Sequence, residues 1–366
     1  MKIENIILYR LSLSLKSPFS TKYGTVKDRE FLLLKVKDET GAVGWGECVS
    51  FDAPWYTEET VDTCEYALKH FLIPFLKGKK VTHPRETTKL FSFVQGHSMA
   101  KASLDLALWD LYAKKLGKPL GKVLGGTASK ISSGVAIGIS DEESMIQSID
   151  RYVKAGYKRF KIKIKPGHDY EVLKKIRQQF PDLPLMADAN ASYTFTDMSL
   201  LEQLDTLNLM MIEQPFGKDE FFQHSELQKV LKTPICLDES ITSVEKAYQA
   251  IQFKSCKILV VKPGRIGGLS PSLQIHELAL KHHFPLWVGG MIESGVSRAH
   301  NVALASLPGF TIPGDISASD RYWRRDVVKK GIKVSDGHIE VPSESGLGFF
   351  IDEPFIDQIA TKKEEF

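Results

Sequence analysis

A chain of 366 residues has room for two or three domains of about 150 residues each, or for one large barrel with a cap. Its 48 basic and 45 acidic residues leave a net charge of +3, with 43% apolar and 25% charged residues; this is a globular balance and argues against a nucleic-acid binder. No apolar stretch approaches the ~18 residues of a spanning helix, the opening Met1-Lys2-Ile3-Glu4-Asn5 lacks a signal-peptide pattern, and Cys48, Cys64, Cys236 and Cys256 stand far apart, which predicts reduced thiols in the cytoplasm.

Taken in chain order, residues 1–50 predict antiparallel strands at Ile6 to Leu13, Glu30 to Val36 and Val43 to Cys48, with the glycine-rich run Gly41 to Gly46 as a turn. Residues 57–118 then predict helices, with Met99 to Lys115 the clearest amphipathic run. From there short apolar runs alternate with polar stretches of helical character: Val135 to Ile139, Phe160 to Ile164, Leu185 to Ala187, Leu209 to Ile212, Ile235 to Leu237, Ile258 to Val261, Pro285 to Val288 and Phe310 to Ile312. Pro184, Pro234 and Pro285 sit where a strand begins and a missing N–H is tolerated. Ser140 with Glu143 and Thr242 with Glu245 have capping-box spacing before helices. Eight strand–helix repeats predict a modified (β/α) barrel of the α/β class, since parallel strands need crossovers. Strand-like pieces return at Gly331 to Val334 and His338 to Val341. The expected organisation is an α+β cap over residues 1–125, a barrel over 126–320 and a return completing the cap over 321–366.

The residues that close the barrel strands carry the chemistry. Phe160 to Lys165 alternates, placing Lys161, Lys163 and Lys165 on one face. Lys163, Asp188, Glu213, Asp238 and Lys262 follow one another at intervals of 25, 25, 25 and 24 residues, one per βα unit. In a barrel the carboxyl ends of the strands converge on one mouth, where active sites of this fold sit. Three carboxylates forced together repel one another unless a cation lies between them; an all-oxygen set suits a hard ion such as Mg²⁺, and Mn²⁺ can substitute. Such an ion can hold a substrate carboxylate and stabilise the dianion formed when the neighbouring carbon loses its proton. A lysine acts as a base near neutrality only where neighbouring cations favour its neutral form, and Lys161 would be one such neighbour. Loss of a β-leaving group from the carbanion gives elimination; reprotonation from the other face by Lys262 gives racemisation.

These residues resemble the enolase superfamily, in its muconate-lactonising branch with a Lys-x-Lys motif. The supporting segments are Lys161-Ile162-Lys163, Asp188-Ala189-Asn190, Glu213-Gln214-Pro215, Asp238-Glu239-Ser240, Lys262-Pro263-Gly264-Arg265, Gly289-Gly290-Met291-Ile292-Glu293-Ser294 and Pro313-Gly314-Asp315, with Ser17-Pro18-Phe19 and Gly46-Glu47-Cys48 in the cap. The resemblance is to the subgroup of o-succinylbenzoate synthases and N-succinylamino acid racemases. It implies Lys163 as the base α to a carboxylate, Lys262 as the opposed acid, Asp188, Glu213 and Asp238 as Mg²⁺ ligands, and Asn190 and Glu239 in support. Relatives with an arginine at the place of Arg265 tend to have both activities. The implied substrate is 2-succinyl-6-hydroxy-2,4-cyclohexadiene-1-carboxylate, dehydrated to o-succinylbenzoate for menaquinone synthesis. The cap and the loop after the seventh strand would shape the site through Phe19, Phe51, Tyr56, Met291, Ile292 and Tyr322. Ala136 stands where a serine near the substrate carboxylate is expected.

Other signals are weaker. His276, His282 and His283 lack the one-face spacing of a zinc site. No histidine closes a barrel strand, which argues against the His–Asp branch and its sugar-acid dehydratases. A dedicated N-acylamino acid racemase or dipeptide epimerase is the same-fold alternative, although Gly289 to Gly295 offers only Glu293 in place of an Asp-x-Asp pair. A barrel that binds an acidic metabolite without turnover is the alternative of another class. The expected partner is a small carboxylate substrate, with no nucleic acid and no membrane; a homo-oligomer stays open.

Overall fold

The computed structural model describes residues 1–21, 24–138 and 141–366; the side chains of residues 19–21 and 24 lie outside this set. Phe19 as a wall of the site, and Ser140 as a helix cap, therefore fall outside the described residues.

In the cap, β1 (Ile3–Thr21), β2 (Gly24–Asp38) and β3 (Val43–Cys48) form an antiparallel meander, and β13 (Ala360–Glu365) joins β1 on its other edge. The chain thus returns at its end to the sheet in which it began. Gly41, at φ +81°, makes the turn into β3, but Gly44 and Gly46 lie within the strand and serve a different purpose. A Cβ on Gly46 would stand 2.0 Å from the carbonyl oxygen of Ser103, and one on Gly44 2.0 Å from that of Ala107, so the glycines let the helix Ser98–Lys115 lie directly on the sheet. That helix is not amphipathic as expected. Every residue from Ala102 to Leu111 is buried, because one side packs on the cap sheet and the other meets the barrel. Trp109 Nε1 donates to Ser270 Oγ (3.0 Å), Ser270 N donates to Asp105 (3.1 Å), and the carbonyl oxygen of Leu106 lies 2.9 Å from His300 Nε2.

The barrel strands are β5 (Gly134–Ile137), β6 (Arg159–Lys163), β7 (Leu185–Asp188), β8 (Ile212–Glu213), β9 (Ile235–Leu237), β10 (Ile258–Val261) and β11 (Leu286–Val288). They pair in parallel, each with its neighbours in sequence. The expected eighth strand, Phe310 to Ile312, is absent among the described residues. Residues 309–315 instead run as an irregular seam that bonds to both edge strands: Ile312 N to Leu286 O (3.3 Å), Asp315 N to Val288 O (2.9 Å) and Gly134 N to Gly314 O (2.7 Å). Pro313 has no N–H to give, which interrupts a regular ladder, and a Cβ on Gly314 would crowd Val288 O at 2.7 Å. The curled sheet and its seam make the modified (β/α) barrel.

Smaller corrections concern boundaries. Asp141 caps the helix Glu142–Lys154 and Ser243 caps Val244–Gln252, each accepting from the N–H three residues on; Thr242 is one residue early. Residues 331–334 form no strand, whereas β12 (His338–Glu340) pairs antiparallel with an unanticipated β4 (Lys130–Ser132). No described helix is long and apolar enough to cross a membrane. Inside the barrel, Met186, Met211, Cys236, Ile258, Val260 and Trp287 form a separate apolar cluster. This plug carries the charged layer above it.

Candidate active site

Side chains alternate along a strand, so β6 sends Arg159, Lys161 and Lys163 inward at successive levels. Arg159 lies 4.4 Å from the Trp287 ring centroid, donates to Pro313 O at 2.7 Å and ion-pairs with Asp315. One step up, the Lys161 ammonium is shared by Asp315 (2.6 Å), Glu213 (3.1 Å) and Asp188 (3.2 Å). At the mouth, Lys163 Nζ donates to Asp188 Oδ2 (2.6 Å) and Asn190 Oδ1 (2.5 Å). Strand register accounts for these meetings: Lys163 pairs with Asp188, and Asp188 with Glu213. Lys165, the third lysine of the alternating run, is exposed past the strand end and takes no part.

A second group gathers on the facing wall. Lys262 Nζ donates to Asp238 Oδ2 and to Tyr56 Oη, both at 2.7 Å. Arg265 donates to Tyr56 Oη (3.0 Å), to Ile241 O (3.1 Å) and to the backbone oxygen of Asp238. Tyr56, expected as a cap residue of the pocket wall, is therefore also tied into the Lys262–Asp238 network. Burial pushes its phenol well above the usual range, and the charge of Asp238 adds to this.

The carboxylates do not share one environment. Burial would raise Asp238, but Arg265, Lys262 and Lys161 outweigh it and hold the carboxyl far below its usual range. Asp188 is likewise lowered against burial by Lys163 and Lys161. Glu213 is raised well above the usual range by burial and then by the charge of Asp188, because among the described residues Lys161 alone is ion-paired with it. Burial would lower Lys161; Asp315, Glu213 and Asp188 reverse this and hold it well above the lysine range.

Supporting residues fix the loops after the strands. Gln214 Oε1 accepts from the N–H groups of Asp238 (3.0 Å) and Ser240 (3.2 Å), while its Nε2 donates to Ser240 Oγ (2.7 Å). Asn190 Nδ2 donates to Glu239 Oε1 at 2.9 Å. Asn190, Gln214 and Ile292 have φ of 42°, 41° and 57°, left-handed backbone held at three points around the mouth. Gln214, Arg159 and Asp315 join the site without a motif that marks their role in the sequence. The period-2 signal that singled out Lys161 and Lys163 extends back to Arg159, whereas Asp315 lies over 150 residues from its partners and left no periodic trace.

These groups floor a cavity of about 100 Å³. Phe51, Trp55 and Tyr56 from the cap, Met291 and Ile292 from the loop after β11, and Tyr322 from the C-terminal return form its walls, with Lys161, Lys163, Asp188, Asn190, Asp238 and Lys262 below. Glu213, Glu239 and Arg265 stand behind this lining. His276 accepts from Gly309 N (3.1 Å) and stacks on Phe310, a packing role.

The donor set fits a hard divalent ion in its chemistry. Asp188, Glu213 and Asp238 are buried on consecutive βα units. Asp238 Oδ1 is buried without a hydrogen-bond partner, although Arg265 Nη2 lies 2.8 Å away. Among the described residues no three acidic side chains converge as a ready-made ligand cage; the lysine ammonium groups bridge them instead.

Comparison with known proteins places this architecture. Residues 3–125 match the mandelate racemase / muconate lactonizing enzyme N-terminal domain, and residues 144–355 the enolase C-terminal domain-like family. The chain is 50% identical to an o-succinylbenzoate synthase of Bacillus subtilis (strain 168) over 366 residues, covering 100% of this chain and 99% of that one. It is 44% identical to an N-succinylamino acid racemase of Thermus thermophilus, covering 98% and 97%. A crystal structure of an enolase-superfamily member from Listeria innocua superposes with a TM-score of 0.97 at 41% identity, covering 100% of this chain and 99% of that one. The cap sheet, the curled barrel and both matched domains lead to one conclusion: the chain belongs to the enolase superfamily.

Proposed function

We propose that the protein is an o-succinylbenzoate synthase, a carbon–oxygen lyase of menaquinone biosynthesis acting in the cytoplasm on 2-succinyl-6-hydroxy-2,4-cyclohexadiene-1-carboxylate. The observation that carries this reading is the pair of lysines on facing walls of one aromatic-lined cavity, Lys163 and Lys262, each bonded to a buried carboxylate. Lys163 takes the proton from the carbon bearing the carboxylate, and that proton is then available to the departing hydroxyl, so that water leaves and the ring becomes aromatic. Lys262, held by Asp238 and Tyr56, stays protonated and stabilises the negative charge that develops. A divalent ion, which we assign as Mg²⁺ with Mn²⁺ able to substitute, would be held by Asp188, Glu213 and Asp238 and would neutralise charge on the substrate carboxylate. Asn190 positions the Lys163 side-chain nitrogen, Gln214 and Arg265 fix the Asp238 loop, and Trp55, Phe51 and Tyr322 exclude water.

The same pair of lysines supports a second activity. If the carbanion has no leaving group, Lys262 can deliver a proton to the face opposite Lys163 and so racemise an N-succinylamino acid; the 44% identity to a racemase favours this as a companion activity. The test is o-succinylbenzoate formation from the cyclohexadiene by purified protein, with Mg²⁺ and with EDTA. Fast metal-dependent turnover, reduced about 10³-fold or more in Lys163→Ala, is expected; turnover unchanged in that variant would refute the assignment.

A further inference from the structure

Arg321 stands apart from the other cations of the cavity. Lys161 is engaged by three carboxylates, Lys163 by Asp188 and Lys262 by Asp238. Arg321, on the short turn Ser319–Arg321, lines both the reaction cavity and an adjoining outer cavity of about 670 Å³. Its guanidinium is pinned against aromatic faces, 5.4 Å from the Tyr152 ring centroid and 5.3 Å from that of Tyr322, and donates to Ala136 O. Among the described residues it has no ion-paired carboxylate, and Asp315 is already held by Arg159 and Lys161. One carbonyl engages one of five N–H donors. Among the described residues the outer cavity adds Lys16 and Arg151 against one acid, Asp320, so the approach is basic.

We propose that Arg321 is the anchor for a second carboxylate, the one at the end of the succinyl chain, and so sets the preference for dicarboxylate substrates. This rests on the substrate class proposed above. A dicarboxylate cannot satisfy both ends with cations already neutralised by protein acids; the far end needs a charge without a partner. A stacked guanidinium is preorganised for it, because its planar fork matches a carboxylate bidentately. The same placement gives meaning to Ala136: it offers the cavity no hydroxyl, and its carbonyl orients the guanidinium instead.

The test is calorimetric binding of o-succinylbenzoate and of 2-pentanoylbenzoate, which lacks the far carboxylate, to the full-length protein in Mg²⁺ buffer. The wild type is expected to prefer the dicarboxylate by roughly 10²-fold. Arg321→Met should lose about that factor for o-succinylbenzoate with less than a threefold change for 2-pentanoylbenzoate, and Arg321→Lys should recover part of the loss. In turnover, the defect should fall on KM more than on kcat. Equal weakening of both ligands in Arg321→Met would overturn the anchor while leaving the function standing. A folded wild type that binds neither ligand would overturn the substrate class itself, and the anchor with it.

Discussion

Glu47 ties the cap to the barrel, and its protonation should be measurable as stability. The side chain is buried at the end of β3, where Oε1 accepts from Ser294 N (3.0 Å) and Oε2 from Ser294 Oγ (2.7 Å) and Ser297 N (3.1 Å). Burial, against these bonds and with the nearby charge of Glu293, pushes the carboxyl up from 4.5 to about 7. The folded state therefore binds this proton more tightly than the unfolded chain does. The resulting stabilisation is fully present below about pH 4.5 and is lost as the pH rises through about 7. Between pH 5 and pH 8 the loss amounts to about 2 to 3 kcal/mol at ~1.4 kcal/mol per pKa unit. Glu47→Gln cannot titrate, and it should start from a deficit of about 1 to 3 kcal/mol, because its amide can accept for only one of the two oxygens. Urea unfolding of both proteins at the two pH values should show that deficit at pH 5 and close most of it by pH 8. A wild-type-minus-variant difference that stays constant across this range would refute the reasoning; titrating groups distant from Glu47 cancel in the difference.

Further outcomes follow from the charged layer. Asp315→Asn leaves the buried Arg159 and Lys161 without the carboxylate they share, and should cost about 3 kcal/mol in urea unfolding together with much of the turnover. Mg²⁺ should raise Tm in the wild type, by about 2.7 kcal/mol of stabilisation at a hundredfold excess over its Kd; Glu213→Gln should blunt that response, and an equal response in the variant would count against Glu213 as a ligand. Tyr56→Phe removes the oxygen that accepts from both Lys262 and Arg265. It should slow proton return by Lys262, and hence racemisation, about tenfold or more, while dehydration, which does not need that step, falls less; equal losses would argue against the division of labour.

The regular part of the site was legible because a βα unit is a nearly fixed length of chain: once strand and crossover repeat, Lys163, Asp188, Glu213, Asp238 and Lys262 must emerge at one rim. What escaped were contacts without a period. The seam at 309–315 has the apolar content of a strand, but Pro313 and Gly314 deny it a ladder. The run Met99 to Lys115 reads as amphipathic in sequence, yet the second face of its helix is covered by a barrel distant in sequence. Asp315 and Arg321 belong to the C-terminal approach, and only the folded chain brings them to β6 and to Ala136. The cap Ser243 sits one residue beyond the expected Thr242, because adjacent side chains could both cap and the chain direction decides which one does.

Charge in the buried cluster links metal and substrate. Asp188, Glu213, Asp238, Glu239 and Asp315 face Arg159, Lys161, Lys163, Lys262 and Arg265, five acids against five cations, so the layer is formally neutral with its ammonium groups folded onto its carboxylates. A divalent cation added alone brings two further positive charges into a poorly solvated space, and a dicarboxylate added alone brings two negative ones, of which Arg321 offsets one. Together the two ligands offset each other, and the lysines are freed from the acids to face the substrate. Metal and dicarboxylate should therefore bind with positive, reciprocal coupling: Mg²⁺ tightens o-succinylbenzoate by the same factor by which o-succinylbenzoate tightens Mg²⁺. The neutral-ended 2-pentanoylbenzoate, which carries one charge fewer, should show the smaller coupling. On the proposed function the lysines are held in reserve by the acids assigned to the ion, and the arrival of both ligands would set Lys163 in place to act.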